Sequence, residues 1–235
     1  MKKTAFLITC EHASNRLPHI FSSYFEGAAD VLQSHEGWDP GALELAEEVA
    51  LRLEADLFVY DYSRLLIEVN RSLWHPRLFS NYTIGLDESQ KGYLISTYYQ
   101  PYRYSIEEQI RNLVFEGKQV VHLSIHSFTP NFFGEERTVE IGLLYDPERI
   151  HEQNYCVHWQ DWLNSHTSYQ VLLNEPYKGT DDGFTTYLRG CFSVDQYVGI
   201  ELEVSQGIIA NQDLKLTVLD SLKSLSALNS PAISG

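Results

Sequence analysis

The regular alternation of two kinds of segment constrains this chain most. Short runs rich in Val, Ile, Leu, Phe and Tyr read as strands: "TAFLITC", "DLFVYDYS", "LLIEVN", "QVVHLSIHSF", "TVEIGLLYD", "YQVLLNEPY" and "YVGIELEVS". Helical patterns lie between them. "DPGALELAEEVALRLEA" opens on Asp39 as a candidate cap, has a proline just inside the start, and sets Leu43, Ala46, Val49, Ala50 and Leu53 on one face. The others are "QPYRYSIEEQIRNLVFEG", closed by Gly117, "PERIHEQNYCVHWQDWLNSH" and "DLKLTVLDSLKSLSAL". Strand, helix, strand repeated in this way predicts an α/β fold, with a mostly parallel sheet flanked by helices on both faces. No long linker, low-complexity segment or internal repeat divides the sequence, so residues 1–235 are expected to form a single domain. In sheets of this kind, sites form beyond the carboxyl ends of the strands.

Reactive side chains gather where those ends should be. "LITCEHASNRLP" runs out of a strand at Cys10 and then presents Glu11, His12 and Asn15. In "QVVHLSIHSFTP", Val121, Leu123 and Ile125 alternate with His122, Ser124 and His126, which puts His126 at the strand's end. In "VGIELEVSQG", Ile200, Leu202 and Val204 alternate with Glu201 and Glu203. Two carboxylates thus share one face of an otherwise buried strand, and burial of a carboxylate is costly unless it meets a cation, a metal or a donor. "YSRLLIEVNRSLWHP" supplies Arg64 and Arg71, with Asn70 beside the second, and an arginine fork holds a carboxylate bidentately. His12, His126 and an oxygen ligand suit zinc, whose charge lowers the pKa of a bound water to about 7. Glu201 or Glu203 is then placed to accept the proton. The simpler readings are hydrogen-bonded structural histidines, surface ion pairs for the arginines, an edge strand turning its glutamates to solvent, and helix capping for Asp39. Cys10 as a nucleophile is a further alternative, without an accompanying oxyanion-hole pattern.

Charge and cysteine usage exclude some partners. A net charge of −15, from 17 Lys plus Arg against 32 Asp plus Glu, repels phosphate backbones and anionic membranes, so nucleic acid and membrane are not expected partners. A small anionic substrate requires a metal ion or arginine to reverse the field locally. The apolar stretch of "MKKTAFLITCEH" is shorter than the ~7–15 residues of a signal-peptide core and reads as a first strand. No stretch approaches the ~20 apolar residues of a membrane span. Cys10, Cys156 and Cys191 are too far apart for a CxxC site, and a reducing cytoplasm is the expected location.

"TCEHASNRLP", "HEGWDPGALELA", "YSRLLIEVNRS", "SIHSFTP", "NEPYKGTDDGFTTYLR" and "GIELEVSQ" together resemble the motifs of the N-formylglutamate amidohydrolase family, in order and over about residues 5 to 210. That family is similar in fold to zinc carboxypeptidases and aspartoacylases, so the resemblance implies a mixed, mostly parallel sheet with Zn2+ at the strand carboxyl ends. Carried over by position, His12 and His126 match the two zinc histidines and Asn15 the intervening glutamate of those relatives. An amide is a weaker ligand than a carboxylate, and Asp39 is the candidate for the third ligand, with His35 and Glu11 behind it.

The resemblance further implies that Asn70 and Arg71 grip the substrate carboxylate and that Glu201 is the general base. Glu203 stands where many relatives carry arginine, which removes one anion anchor. The "NEPYKGTDDG" loop, with Tyr177 and Asp182, is expected to cover the pocket, Arg189 to supply positive charge, and Arg64 to stabilise the oxyanion. The expected activity is zinc-dependent hydrolysis of the amide bond of a small anionic N-acyl amino acid. The alternatives are a small-anion binding protein on a hydrolase fold, or a Cys10-dependent hydrolase.

Overall fold

A computed structural model describes residues 3–132 and 134–227. Its strands are β1 (Thr4–Cys10), β2 (Asp56–Val59), β3 (Gln119–Phe128), β4 (Asn131–Phe132), β5 (Glu135–Glu136), β6 (Ile141–Leu144), β7 (Val171–Leu173) and β8 (Tyr197–Ser205). Its helices are α1 (Ala29–Gln33), α2 (Ala42–Leu53), α3 (Glu88–Leu94), α4 (Gln100–Phe115), α5 (Ile150–His166), α6 (Phe184–Cys191) and α7 (Gln212–Ala227). Six strands form one sheet in the order β2-β1-β3-β8-β6-β7, and β4 and β5 form a small hairpin apart from it. The first four run parallel, β6 is antiparallel to β8, and β7 is parallel to β6, so the sheet is mixed and mostly parallel.

The alternation in β3 and β8 explains how the sheet is used. Val121, Leu123 and Ile125 of β3 and Ile200, Leu202 and Val204 of β8 are fully buried in a core completed by α2, α5 and α7. Trp159 of α5 lies in that core and donates its indole N–H to Ser221 of α7 at 2.7 Å, so its polar atom is satisfied inside an apolar layer. The opposite face carries His122, Ser124, His126, Glu201 and Glu203, with Ser124 in register with Glu201 and His126 with Glu203. Its apolar part is covered by Tyr102, Ile106 and Ile110 of α4 and by Phe184 and Leu188 of α6. One face is therefore almost wholly hydrocarbon, while the other becomes polar toward the carboxyl ends of β1, β3 and β8.

β1, β3 and β8 have the bounds expected from their patterns, whereas four other runs differ. β2, β6 and β7 are shorter than their apolar runs. Residues 65–70, "LLIEVN", form no strand although Leu66, Ile67 and Val69 are fully buried. Their backbone is satisfied locally and by a distant loop: Leu66 N–H donates to the Ser63 carbonyl, Glu68 N–H to that of Leu78, and Asn70 N–H to the Glu68 side chain. α3 and α6 are two further helices, of seven and eight residues. Asp39 does not cap α2, whose first turn is preceded by Gly41 at φ 83°, a left-handed conformation suited to glycine.

Candidate metal centre and active site

His12 follows β1, His126 lies near the carboxyl end of β3, and Asp39 lies in the turn before α2. A backbone hydrogen bond from Asp39 N–H to the His12 carbonyl, 2.9 Å, ties that turn to the end of β1. All three side chains are buried, and one ligand atom from each lies within 4.8 Å of the other two. His12 Nδ1 is 3.2 Å and His126 Nδ1 is 2.9 Å from the same oxygen, Asp39 Oδ2. The far nitrogens face carboxylates too. His12 Nε2 is 2.7 Å from Glu68 Oε1, while His126 Nε2 is 3.3 Å from Glu11 Oε2 and 2.9 Å from Ser124 Oγ. Each imidazole thus points Nδ1 at a common centre and Nε2 at an acid, an arrangement that fixes tautomer and orientation in metal-binding histidines. Two imidazole nitrogens and one carboxylate oxygen fit a divalent ion of the zinc type.

The charges in this cluster sustain one another. Burial works against ionisation of Glu11, yet the hydrogen bond and charge of His126 bring it down to about 2. Asp39 and Glu68 are likewise held below the carboxylate range despite burial, Asp39 by His12 and His126, Glu68 by Arg64 and His12. Burial pushes both imidazoles down, but the neighbouring carboxylates outweigh it and raise His12 and His126 above the ordinary histidine value. His122, two residues before Ser124, differs. Burial lowers it to about 4, and it sits between Thr9 and the Tyr197 hydroxyl, each at 2.7 Å, as a neutral structural residue.

Other expected site residues fall around this centre. Glu201 is half-buried and accepts a hydrogen bond from Thr185 Oγ1 on Oε1. A Cβ on Gly183 would lie 3.4 Å from Glu201 Oε1 and 3.5 Å from Asn70 Oδ1, so this glycine sits against both groups. Asn70 Oδ1 accepts the Phe184 N–H at 2.7 Å, joining the 65–70 segment to the start of α6. Arg71 donates to the Asp182 carbonyl, while the Asp182 carboxylate accepts from Ser72 N–H at 2.9 Å. The Arg71 carbonyl accepts a hydrogen bond from Tyr99 Oη at 2.7 Å. Arg64 lies 2.7 Å from Glu68 and 3.5 Å from Asp39, at the rim of the centre. Tyr177 is 39 % exposed and accepts from Arg137 at 3.2 Å, which places it on the outer side of the 174–183 loop.

Several expectations change. Asn15 is half-buried and makes no hydrogen bond to the cluster among the described residues, and His35 is exposed; Asp39 is the oxygen donor that meets both histidines. Cys10 is fully buried on the apolar face and burial raises its thiol well above the ordinary value, which disfavours the thiolate that a nucleophile needs. Arg189 is not a free positive charge. Its Nε pairs with Glu152 at 3.0 Å, Nη1 donates to the Gly179 carbonyl and Nη2 to that of Gly199 at 3.0 Å, which moors the 174–183 loop to β8. Glu152 is fully buried. Replacing Arg189 by Met is therefore expected to destabilise the fold by about 3 kcal/mol in urea denaturation, because a buried carboxylate loses its main partner. Unchanged stability with a raised KM would return Arg189 to substrate binding. Glu68 and Thr185 are the participants that sequence patterns did not single out.

The family model for N-formylglutamate amidohydrolase matches residues 4–210. The gene product Atu2144 from Agrobacterium tumefaciens is 30 % identical, with a TM-score of 0.81 over 97 % of this chain and 90 % of that one. N-formylglutamate amidohydrolase from Ralstonia eutropha JMP134 is 17 % identical, with a TM-score of 0.64 over 96 % and 92 % of the two chains. Among curated proteins, none matches the chain in sequence. Among the described residues, no helix is long and apolar enough to cross a membrane. Carrying that family's match along nearly its whole sheet, the chain belongs to the N-formylglutamate amidohydrolase family.

Proposed function

We propose that this protein is a zinc-dependent hydrolase for the amide bond of a small N-acyl amino acid of the N-formylglutamate type. The observation that carries this reading is the convergence of His12 Nδ1, His126 Nδ1 and Asp39 Oδ2, within a chain of an amidohydrolase family. These three residues would hold the ion, and when bound it supplies a Lewis-acidic charge that favours ionisation of water and polarisation of the acyl carbonyl. Glu68 and Glu11 keep the two imidazoles turned toward it.

The protein's own groups carry the remaining tasks. Glu201, steadied by Thr185, accepts the proton of the attacking water and returns it to the departing nitrogen. Arg64 lies at the edge of the centre and offsets negative charge that develops on the acyl oxygen. Arg71 holds the substrate's α-carboxylate, with Asn70 beside it, and so fixes the amide within reach of Glu201. Asp182 and Tyr177 belong to the covering loop, where Asp182 orders Ser72 next to Arg71.

Metal-stripped protein is expected to lose at least about a hundredfold in kcat/KM on N-formyl amino acids, and one equivalent of zinc to restore it. Arg71→Lys should raise KM about tenfold for substrates with a free α-carboxylate while sparing their α-carboxamides, since a point charge replaces a planar fork. Full activity after stripping, or equal losses on acid and amide, would reject the respective assignment.

A further inference from the structure

Away from the metal centre, a cavity of about 260 Å³ lies between residues 72–74, the start of α4 and Tyr187 of α6. Leu73, Trp74, Tyr99, Tyr104 and Tyr187 give it apolar and aromatic walls, and no group assigned above to the metal or to proton transfer lines it. Leu73, Trp74 and Tyr104 are exposed, so the cavity is reached from solvent.

The same cavity is lined by a buried cation without an acid. Arg103 is 4 % exposed, and its guanidinium carbon lies 4.9, 4.4 and 4.6 Å from the ring centres of Tyr99, Phe184 and Tyr187. Nη1 donates to the carbonyls of Val69 at 2.8 Å and Arg71 at 3.3 Å. Among the described residues, Nε and Nη2 donate to nothing and no carboxylate pairs with the group. Asp182 and Glu11, the acids whose charge reaches it, are committed elsewhere, Asp182 to Ser72 and Glu11 to Ser124 and His126. Glu107 of the same helix takes Arg111 and the Tyr187 hydroxyl. Buried charges are ordinarily paired, and the rings over this one hold its plane without neutralising it. The missing partner is therefore an anion, and the walls require the rest of its molecule to be hydrocarbon. A cavity of roughly 150 Å³ accommodates benzene, so this one has room for a single ring and a short acid chain.

We propose that this cavity binds a small aromatic carboxylate, its ring among the aromatic walls and its carboxylate on the free donors of Arg103. The site is separate from the hydrolytic centre and does not rest on the reaction assigned there. Calorimetric titration of the full chain with 3-phenylpropionate, 3-phenylpropionamide and propionate tests it. The aromatic acid is expected to bind at least about tenfold more tightly than its amide, the scale of hydrogen bonds to a charged group, and at least about tenfold more tightly than propionate, which lacks the ring. Gln100 lines the cavity three residues before Arg103 on α4. Gln100→Glu thus offers Arg103 an internal anion and should abolish the advantage of acid over amide, whereas the neutral Gln100→Met should retain it. His12→Ala should leave binding of the acid unchanged. Equal binding of acid and amide to the wild type, binding of neither, or a preference that survives in Gln100→Glu or is lost equally in Gln100→Met would overturn the proposal. Loss of acid binding in His12→Ala would put the ligand at the metal centre and overturn it too.

Discussion

Glu201→Gln should lower kcat by at least about a hundredfold, with metal content and KM little changed, which is the scale of losing a general base. The substitution preserves shape, and glutamine retains a carbonyl oxygen to accept the Thr185 hydroxyl that Glu201 accepts now. What disappears is the capacity to take a proton from water. The position makes this loss specific, because Glu201 is in register with Ser124, which in turn bonds to Glu11 and His126 behind the candidate metal centre. Steady-state kinetics and elemental analysis on one preparation separate the two roles. An active Glu201→Gln beside an inactive Glu203→Gln would move the base two residues along β8, and two active variants would end the carboxylate-base mechanism.

Removal of any one of His12, Asp39 or His126 should abolish stoichiometric metal binding. Each alanine variant deletes one of three protein donors, so affinity should fall at least about a hundredfold, whereas Glu68→Gln, which only loosens His12, should cost about ten- to a hundredfold. This graded order is the informative result, measured by competition with a chromophoric chelator. Affinity should also weaken as pH falls, since both imidazoles must give up protons that the surrounding carboxylates help them hold. The fold should survive in every variant, because the apolar layer between the sheet and α2, α5 and α7 contains none of these groups. Wild-type metal content in an alanine variant would remove that residue from the ligand set.

The parts of this structure that were legible in sequence share a physical cause. β3 and β8 are central strands with one apolar face and one polar face, so strict alternation marked both their bounds and the residues that point into the site. The 65–70 segment defeated the same rule. Its apolar residues are as deeply buried as a strand's, but its backbone is satisfied by Ser63, Leu78 and the Glu68 carboxylate, contacts that no local pattern encodes. Glu68, a lone acid inside "LLIEVN", is met by Arg64 four residues earlier and by His12 from the end of β1, and only the first of these is near it in sequence. Asp39 was ambiguous because a helix cap and a metal ligand demand the same acceptor in the same place. Arg189 misled for a different reason, since its partner Glu152 lies on another helix and only folding brings them together.

That pairing sets how this enzyme scaffold can vary. The arginine fastens the 174–183 loop to β8 and α5 through backbone carbonyls and a buried acid, none of which contacts the ligand set of the candidate metal centre. Gly179 cannot take a side chain there, since a Cβ would lie 2.2 Å from the Tyr145 nitrogen, whereas Tyr177, 39 % exposed, has room to vary. Variation that respects these fixed points is thereby confined to the outward side of the loop, and the strands that carry His126 and Glu201 keep their place beneath it.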